Sequence, residues 1–571
     1  MCALYVHVFS VGLYNAANIF CFVQYKTGLK CFLMTYILFF PVPFDYFYRD
    51  LLPPQLEENK EFYGPCGKEH YRLLAYLSTL FNGTSIIEIG THQGKSAIAL
   101  SYNPNNIVHT FDIEKKYVPE VDKVSNIRFH LENLFDRDVF MTWSQTILSC
   151  PFLFIDVDPH NGHMEAQMFQ LLQEIGYSGF VVWDDIWYFK EMRNNFWYDI
   201  PDRQRYDLTL LGHWSGTGVT VFDPSISFNK NKTDDWTLVT GYFDLTRFDD
   251  ATAEIKERNV DHYFSNARST MALPYNLVVY CEQQHLEKLS SMRPAYLRNR
   301  VQYHVVDFDE LYFRKDHSTE ENKDPGFNFA KYREVIKANR KIKPTVDNRN
   351  TPSYYLLCMA RYVMMKRTID ENLFSSTHFG WINMCIERMG YSNLVHLDEA
   401  LGVHRNKFST CYIDYIPEPV INNLGEYFIS GGRCSMCSGF FTGNEYYMWT
   451  VADLIENQFI EYLRAGYGHA DEQLYSPVYF KNPNMFQQYY GDYQQMITNY
   501  VWVYEASSCT ILHFIRNSFD WRNFSKCYEA CKVVWDSYCG GKCELSVNDK
   551  ILLCYYYMFS QKECLTYSSG M

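Results

Sequence analysis

Acids delivered to the ends of apolar runs are the first feature of this chain that could do chemistry. PFLFIDVDPH sets Asp156 and Asp158 behind an apolar run, and GFVVWDD does the same for Asp184 and Asp185. Carboxylates meeting at one edge make an oxygen-rich cation site of the kind Mg2+ prefers. His160 follows closely enough to serve as a general base, or to brace the loop. Upstream, Glu88-Ile-Gly90-Thr-His-Gln-Gly94 supplies glycines where a backbone must approach a ligand and then enter a helix. Asp112 ends the next apolar run, at the ~20-residue offset where nucleotide folds place an acid on ribose hydroxyls. His213 and Trp214, in GHWSGTG, are candidates to floor an acceptor site, unless Trp214 only covers a sheet edge.

A second set lies downstream. Arg247 follows the run WTLVTGYFDL, Arg293 lies beyond LVVYCE, Asn383 ends FSSTHFGWIN, and Asp471 and Glu472 stand together in GYGHADEQ. The acid pair reads as a general base or as a helix N-terminal cap.

The elements that must position these groups follow from periodicity. EHYRLLAYLSTLF predicts a helix with Tyr71, Leu74, Leu77 and Leu80 on one face. SIIEIG, IVHTFDIE, NIRFHLENLF, PFLFIDVD and GFVVWDD predict buried strands, with helices in THQGKSAIALSY and HMEAQMFQLLQEIGY between them. That alternation predicts a parallel, doubly wound α/β sheet. YDLTLLGHWSGTGVTVFDP predicts a closing antiparallel hairpin, and the polar stretch 226–236 a linker. WTLVTGYFDL and YNLVVYCE start a second sheet, while SGFFTGNEYYMWTVADLIENQFIEYL predicts a Gly-containing turn leading into a long helix. The resulting division is an apolar segment 1–44, an α/β domain 45–225, the linker, a second α/β domain 237–525 and a Cys-rich tail 526–571.

A chain of 571 residues exceeds one ordinary core, in keeping with two domains. Its net charge of −14 argues against a broad grip on nucleic acid. Its 18 cysteines lie scattered through most of the chain, as in reduced, cytoplasmic proteins, but six crowd into the tail, where a disulfide cluster or metal site competes with buried thiols. The first 25 residues carry no Lys, Arg, Asp or Glu, and CFLMTYILFFPVPF follows. This segment reads as a membrane anchor or as sequence ahead of a true start at Met34.

The first domain resembles the class I, S-adenosylmethionine-dependent methyltransferases, in particular the branch related to sugar and macrolide O-methyltransferases, over residues 60 to 225. The ExGxxxG spacing departs from the GxGxxG of NAD-binding folds. The resemblance implies that Glu88, Gly90 and Gly94 surround the methionine part of S-adenosylmethionine, that Asp112 holds its ribose, and that Asp156, Asp184 and Asp185 hold Mg2+. The second domain resembles the HtrL/YibB family, whose members resemble GT-A glycosyltransferases. TGYFDLTR, LVVYCE, MMKRTIDENLFSSTHFGWIN and ADEQ carry that likeness. It implies a nucleotide-sugar donor with Arg247 and Arg293 facing its phosphates, Mn2+ as a metal, and a glycan or sugar acceptor. Asn383 departs from the family pattern, which has Asp there. The combined expectation is a bifunctional glycan-modifying enzyme. The alternative is a methyltransferase of a small hydroxylated metabolite whose second domain binds glycan, or docks, without turnover.

Overall fold

The computed structural model describes residues 67–223 and 234–568, apart from residue 120 and the stretches 314–327, 342–348, 430–433, 468–469 and 507–510. It also describes Phe62 and the two-residue strands Ile37–Leu38 and Ser227–Phe228, which pair in parallel. The anchor expected in 1–44 otherwise lies outside the described residues. No described helix is long and apolar enough to cross a membrane. The chain divides into two compact units, Met1–Lys230 and Asn231–Met571.

In the first unit, α1 (Tyr71–Thr79) precedes β1 (Ser85–Ile89), α2 (Lys95–Leu100), β2 (Ile107–Asp112), β3 (Ile127–Leu131), α3 (Arg137–Ser149), β4 (Phe152–Ile155), α4 (His163–Glu174) and β5 (Phe180–Asp184). Then come α5 (Lys190–Asn195), β6 (Arg205–Asp207) and β7 (Thr217–Val221). The strand order is β3-β2-β1-β4-β5-β7-β6, with all neighbours parallel up to β5 and β7 antiparallel to both its neighbours. This is a mixed, Rossmann-like sheet. The central strands β4 and β5 are buried at every position, as covering both faces of a parallel sheet requires. The edge strand β3 is buried only at Ile127 and partly or fully exposed beyond it. Helix α1 buries Leu73, Leu74 and Leu77, leaving Tyr71 and Leu80 at its margin, so the buried face is turned from the expected one.

The second unit carries another mixed seven-stranded sheet. Its strands are β8 (Trp236–Tyr242), β9 (Asn276–Cys281), β10 (Val301–Val305), β11 (His378–Ile382), β12 (Ser409–Tyr412), β13 (Met436–Asn444) and β14 (Tyr489–Tyr490). The order is β10-β9-β8-β11-β13-β12-β14, with β13 antiparallel to its neighbours. Helices α6 (Pro352–Glu371) and α7 (Glu445–Arg464) pack together, and the buried Lys366 ammonium joins them through Glu456 at 2.7 Å and Asp453 at 2.8 Å. Contrary to expectation, SGFFTG is not a turn but the interior of β13. The tail is not a separate unit either. Residues 511–568 form α8 (Ile511–Asp520), α9 (Phe524–Cys539) and α10 (Val547–Ser568), whose Phe514, Cys527, Cys531 and Leu553 join the second unit's core. The six tail cysteines are free thiols, three of them buried.

Candidate functional site

In the first unit the strand order reverses at β1 and β4, and a crevice outside their carboxyl ends is where open α/β sheets bind ligands. The amide of Asp156 donates to the Ile89 carbonyl there, at 3.0 Å. Gly90 adopts φ +98°, and a Cβ on it would stand 1.7 Å from the Asp156 carbonyl oxygen. No other residue fits that turn. Asp112 closes it from β2, one carboxylate oxygen accepting from the His92 amide at 2.8 Å and the other from the Glu114 amide at 3.0 Å. Each oxygen keeps a lone pair, and the side chain is partly exposed, so Asp112 can still accept from two hydroxyls.

Glu88 behaves otherwise. It is fully buried, and it accepts from the Thr110 hydroxyl at 2.5 Å. Burial pushes its carboxyl up to about 7, against the lowering effect of Ser96 and Thr110. It supports the turn from within the sheet rather than lining the crevice, which corrects its expected ligand contact. Gly94, at φ +78°, is required by packing, because a Cβ would meet Val121 at 2.4 Å.

The acids separate into two groups. Asp156, Asp185 and His160 bring one ligand atom each within 4.8 Å of one another. His160 Nδ1 lies 3.1 Å from Asp185, Nε2 lies 3.1 Å from Asp158, and its ring stacks on Phe189. Burial and the Asp184 charge raise Asp156 to about 7 and lift Asp185 as well. Asp185 is held at φ +61°, an uncommon backbone state for a non-glycine residue and one that clusters at functional sites. Asp184 belongs to the other group: its Oδ2 is 3.3 Å from His70 Nδ1 and 3.3 Å from His213 Nδ1. Burial alone would raise Asp184, but the two imidazoles hold it well below the usual carboxylate range. Burial would likewise lower His70, yet the neighbouring Asp184 charge raises it to about 9. The expected trio of acids is therefore divided, and His213 faces Asp184 rather than only flooring an acceptor site. Trp214 is exposed and meets the exposed Tyr188 edge-on at 5.0 Å, forming an aromatic rim.

Of the second unit's predicted residues, Arg247 and Asn383 lie beyond the ends of β8 and β11, whereas Arg293 follows a helix and Asp471 and Glu472 lie in a short one. Arg247 pairs with Glu282 at 2.5 Å and Asp307 at 3.2 Å, at the carboxyl ends of β9 and β10. Arg293 is buried and donates to the carbonyls of Met271, Leu273, Tyr275, Leu297 and Arg300. Its hydrogen-bonding capacity is spent on the backbone, so it does not face phosphates. Asn383 Oδ1 accepts from the Trp381 indole at 3.0 Å. Asp471 accepts from Arg361 at 2.9 Å and from the Tyr362 hydroxyl at 3.0 Å, and is 1% exposed. Glu472 accepts from the Ser438 amide and hydroxyl and from Tyr493, while burial and Asp471 raise its carboxyl. Ala470 holds the N-cap position of the short helix Asp471–Gln473, so the pair occupies its first turn, where Asp471 also accepts from the Glu472 amide at 3.1 Å. These residues do not fit Mn2+. Among the described residues no trio of metal-ligating atoms gathers in this unit.

Sequence reasoning missed His70, Tyr188, Arg361, Ser438 and Tyr493. Only Arg361 left a signal, as a cation within the largely apolar run YYLLCMARYVMM.

Several solved structures are similar to part of the chain. MycE, a methyltransferase from the mycinamycin biosynthetic pathway solved with Mg and SAH, is 19% identical over 18% of this chain and 28% of its own, with a TM-score of 0.15. The O-methyltransferase TomG from Streptomyces achromogenes, solved with SAM, is 17% identical over 31% of this chain and 94% of its own, with a TM-score of 0.22. The Podospora anserina methyltransferase PaMTH1 is 15% identical over 20% of this chain and 52% of its own, with a TM-score of 0.16. The chain thus spans less than a third of MycE. Likeness at this level carries no argument about chemistry, which rests on the side chains described above. No curated protein matches the chain. Residues 234–500 match the model of the HtrL_YibB family, a bacterial protein of unknown function.

Proposed function

We propose that the first unit is an S-adenosylmethionine-dependent O-methyltransferase acting on a sugar hydroxyl. The observation that carries this reading is the Gly90 turn, pressed onto Asp156 and closed by an Asp112 carboxylate with acceptor capacity to spare. Asp112 would hold the ribose hydroxyls of S-adenosylmethionine, which supplies an electrophilic methyl group. Asp156 and Asp185 offer the oxygen ligands Mg2+ prefers, and its charge would favour the deprotonated acceptor hydroxyl. His160, oriented between Asp158 and Asp185, accepts the hydroxyl proton. Tyr188 and Trp214 give the acceptor an apolar face to lie against. Calorimetry of the full chain tests the reading: S-adenosylmethionine should bind to wild type and bind more weakly to Asp112→Ala. Equal affinity in the two proteins removes Asp112 from the site.

For the second unit we propose a nucleotide-sugar site at the carboxyl ends of β8, β9 and β11, serving glycan transfer without Mn2+. Glu472 is the better-placed base, because Asp471 is neutralised by Arg361. The engaged side chain of Asn383 favours a second reading, in which this unit recognises glycan without turnover. A panel of nucleotide sugars separates them: binding with release of free nucleotide supports transfer, whereas glycan binding with no nucleotide affinity supports recognition alone.

A further inference from the structure

We propose that His70, Asp184 and His213 form a second, nitrogen-rich cation site in the first unit, suited to a first-row transition dication such as Zn2+, Fe2+ or Co2+ rather than Mg2+. It goes beyond the methyltransferase reading and does not depend on it. Two imidazoles and one carboxylate are a ligand set for these ions, whereas Mg2+ takes oxygen. The three residues bring one ligand atom each within 4.8 Å of one another. The two nitrogen-to-oxygen separations of 3.3 Å are those of ligands roughly 2.1 Å from a common ion at an angle of about 105°.

Two further observations point to a ligand. His70 and Asp184 are 4% and 5% exposed; His70 Nδ1 faces only the Asp184 carboxylate, and Asp184 Oδ1 has no hydrogen-bond partner among the described residues. Buried polar atoms in folded proteins are nearly always satisfied. His213 Nε2 is also turned toward Glu69, 3.7 Å away, so that Nδ1 faces inward, the carboxylate–histidine–metal arrangement that orients ligating imidazoles. The Ser215 hydroxyl now lies 2.6 Å from His213 Nδ1 but also interacts with Asp185, so it has another acceptor when that nitrogen takes a cation.

The test uses the full chain, stripped with chelator, incubated with Co2+ in excess Mg2+ and desalted. Wild type should retain one Co2+ per chain with the visible absorption of a low-coordinate, nitrogen-ligated ion. His70→Gln and His213→Gln should each weaken retention at least roughly tenfold, and Asp156→Asn should retain the ion and its spectrum. His213 is only half-buried, so His213→Gln decides the matter if His70→Gln fails to fold. No retained Co2+ in wild type overturns the proposal, leaving an unmetallated ion pair; so does an unchanged spectrum in a folded His213→Gln protein. Loss in Asp156→Asn equal to that in the histidine variants overturns it in favour of one shared, oxygen-rich centre. S-adenosylmethionine binding, followed in parallel, keeps the two questions apart. Binding without Co2+ retention sinks this site alone, and retention without binding sinks the methyltransferase reading alone.

Discussion

The carboxyl edges of the two sheets invite comparison, because both collect charged side chains and the fold engages them to different degrees. In the first unit, Asp112 keeps acceptor capacity and the buried Asp184 Oδ1 lacks a hydrogen-bond partner among the described residues. In the second, Arg247 is divided between two acids and Arg361 is locked onto Asp471, while Arg293, beside the amino ends of β9 and β10, is surrounded by five carbonyls. Charge at a strand end is thus no measure of binding capacity. What counts is whether the fold has already consumed the hydrogen bonds.

Arg293→Met should break this comparison most visibly. It strands buried carbonyls and should lower the second unit's stability by about 3–5 kcal/mol in denaturant unfolding. An unchanged midpoint with lost nucleotide affinity would return Arg293 to the phosphate role. Arg361→Met should cost about 3 kcal/mol by leaving Asp471 buried without a cation. Adding Asp471→Asn should recover part of that loss, since a double-mutant cycle isolates the pair.

Glu88→Gln sharpens the first unit's side. The folded pKa of about 7 lies above the ordinary 4.5, so the unfolded chain releases this proton first. Stability from this group therefore falls as pH rises from 4.5 through about 7 and stays low above it. The amide variant should unfold at nearly the wild-type midpoint at pH 4 and be on the order of 2 kcal/mol more stable at pH 8. A pH-independent difference would show that Glu88 does not titrate in this window. Asp112→Ala should weaken S-adenosylmethionine by roughly 1–3 kcal/mol in calorimetry, with little change in melting. The smallest effect belongs to Trp214→Ala, expected to leave stability within about 0.5 kcal/mol while reducing acceptor affinity. Intact acceptor affinity would make the aromatic rim surface covering only.

Much of the first sheet was legible because buried parallel strands are short apolar runs, and SIIEI, FLFI and FVVWD stand out as such. The Gly90 turn was equally plain. What escaped were pairings between distant segments. His70 precedes α1 while its partner ends β5, and nothing local marks it. Arg293 shows a cation in sequence but not the carbonyls around it. SGFFTG misled because glycine is a turn signal, whereas in β13 it answers to crowding. A Cβ on Gly439 would come 2.9 Å from the Asn383 amide nitrogen, and one on Gly443 3.0 Å from Met448. The tail's cysteines suggested a framework, yet a helix with small, apolar residues at its packing positions produces the same crowding.

The position of β7 also has a consequence for how the protein is made. This strand is the last of its sheet to leave the ribosome, yet it lies between β5 and β6, paired from Phe180↔Val221 to Asp184↔Thr217. The turn ahead of it carries His213 and Ser215 back over the end of β5. A nascent chain halted before residue 213 would therefore have β1 to β5 available for pairing, while Asp184 lacked one of its two imidazoles and β5 kept an open edge. Completion of the site is thereby tied to completion of the domain, and truncated products should be trapped by chaperones or aggregate before they can bind anything at that edge.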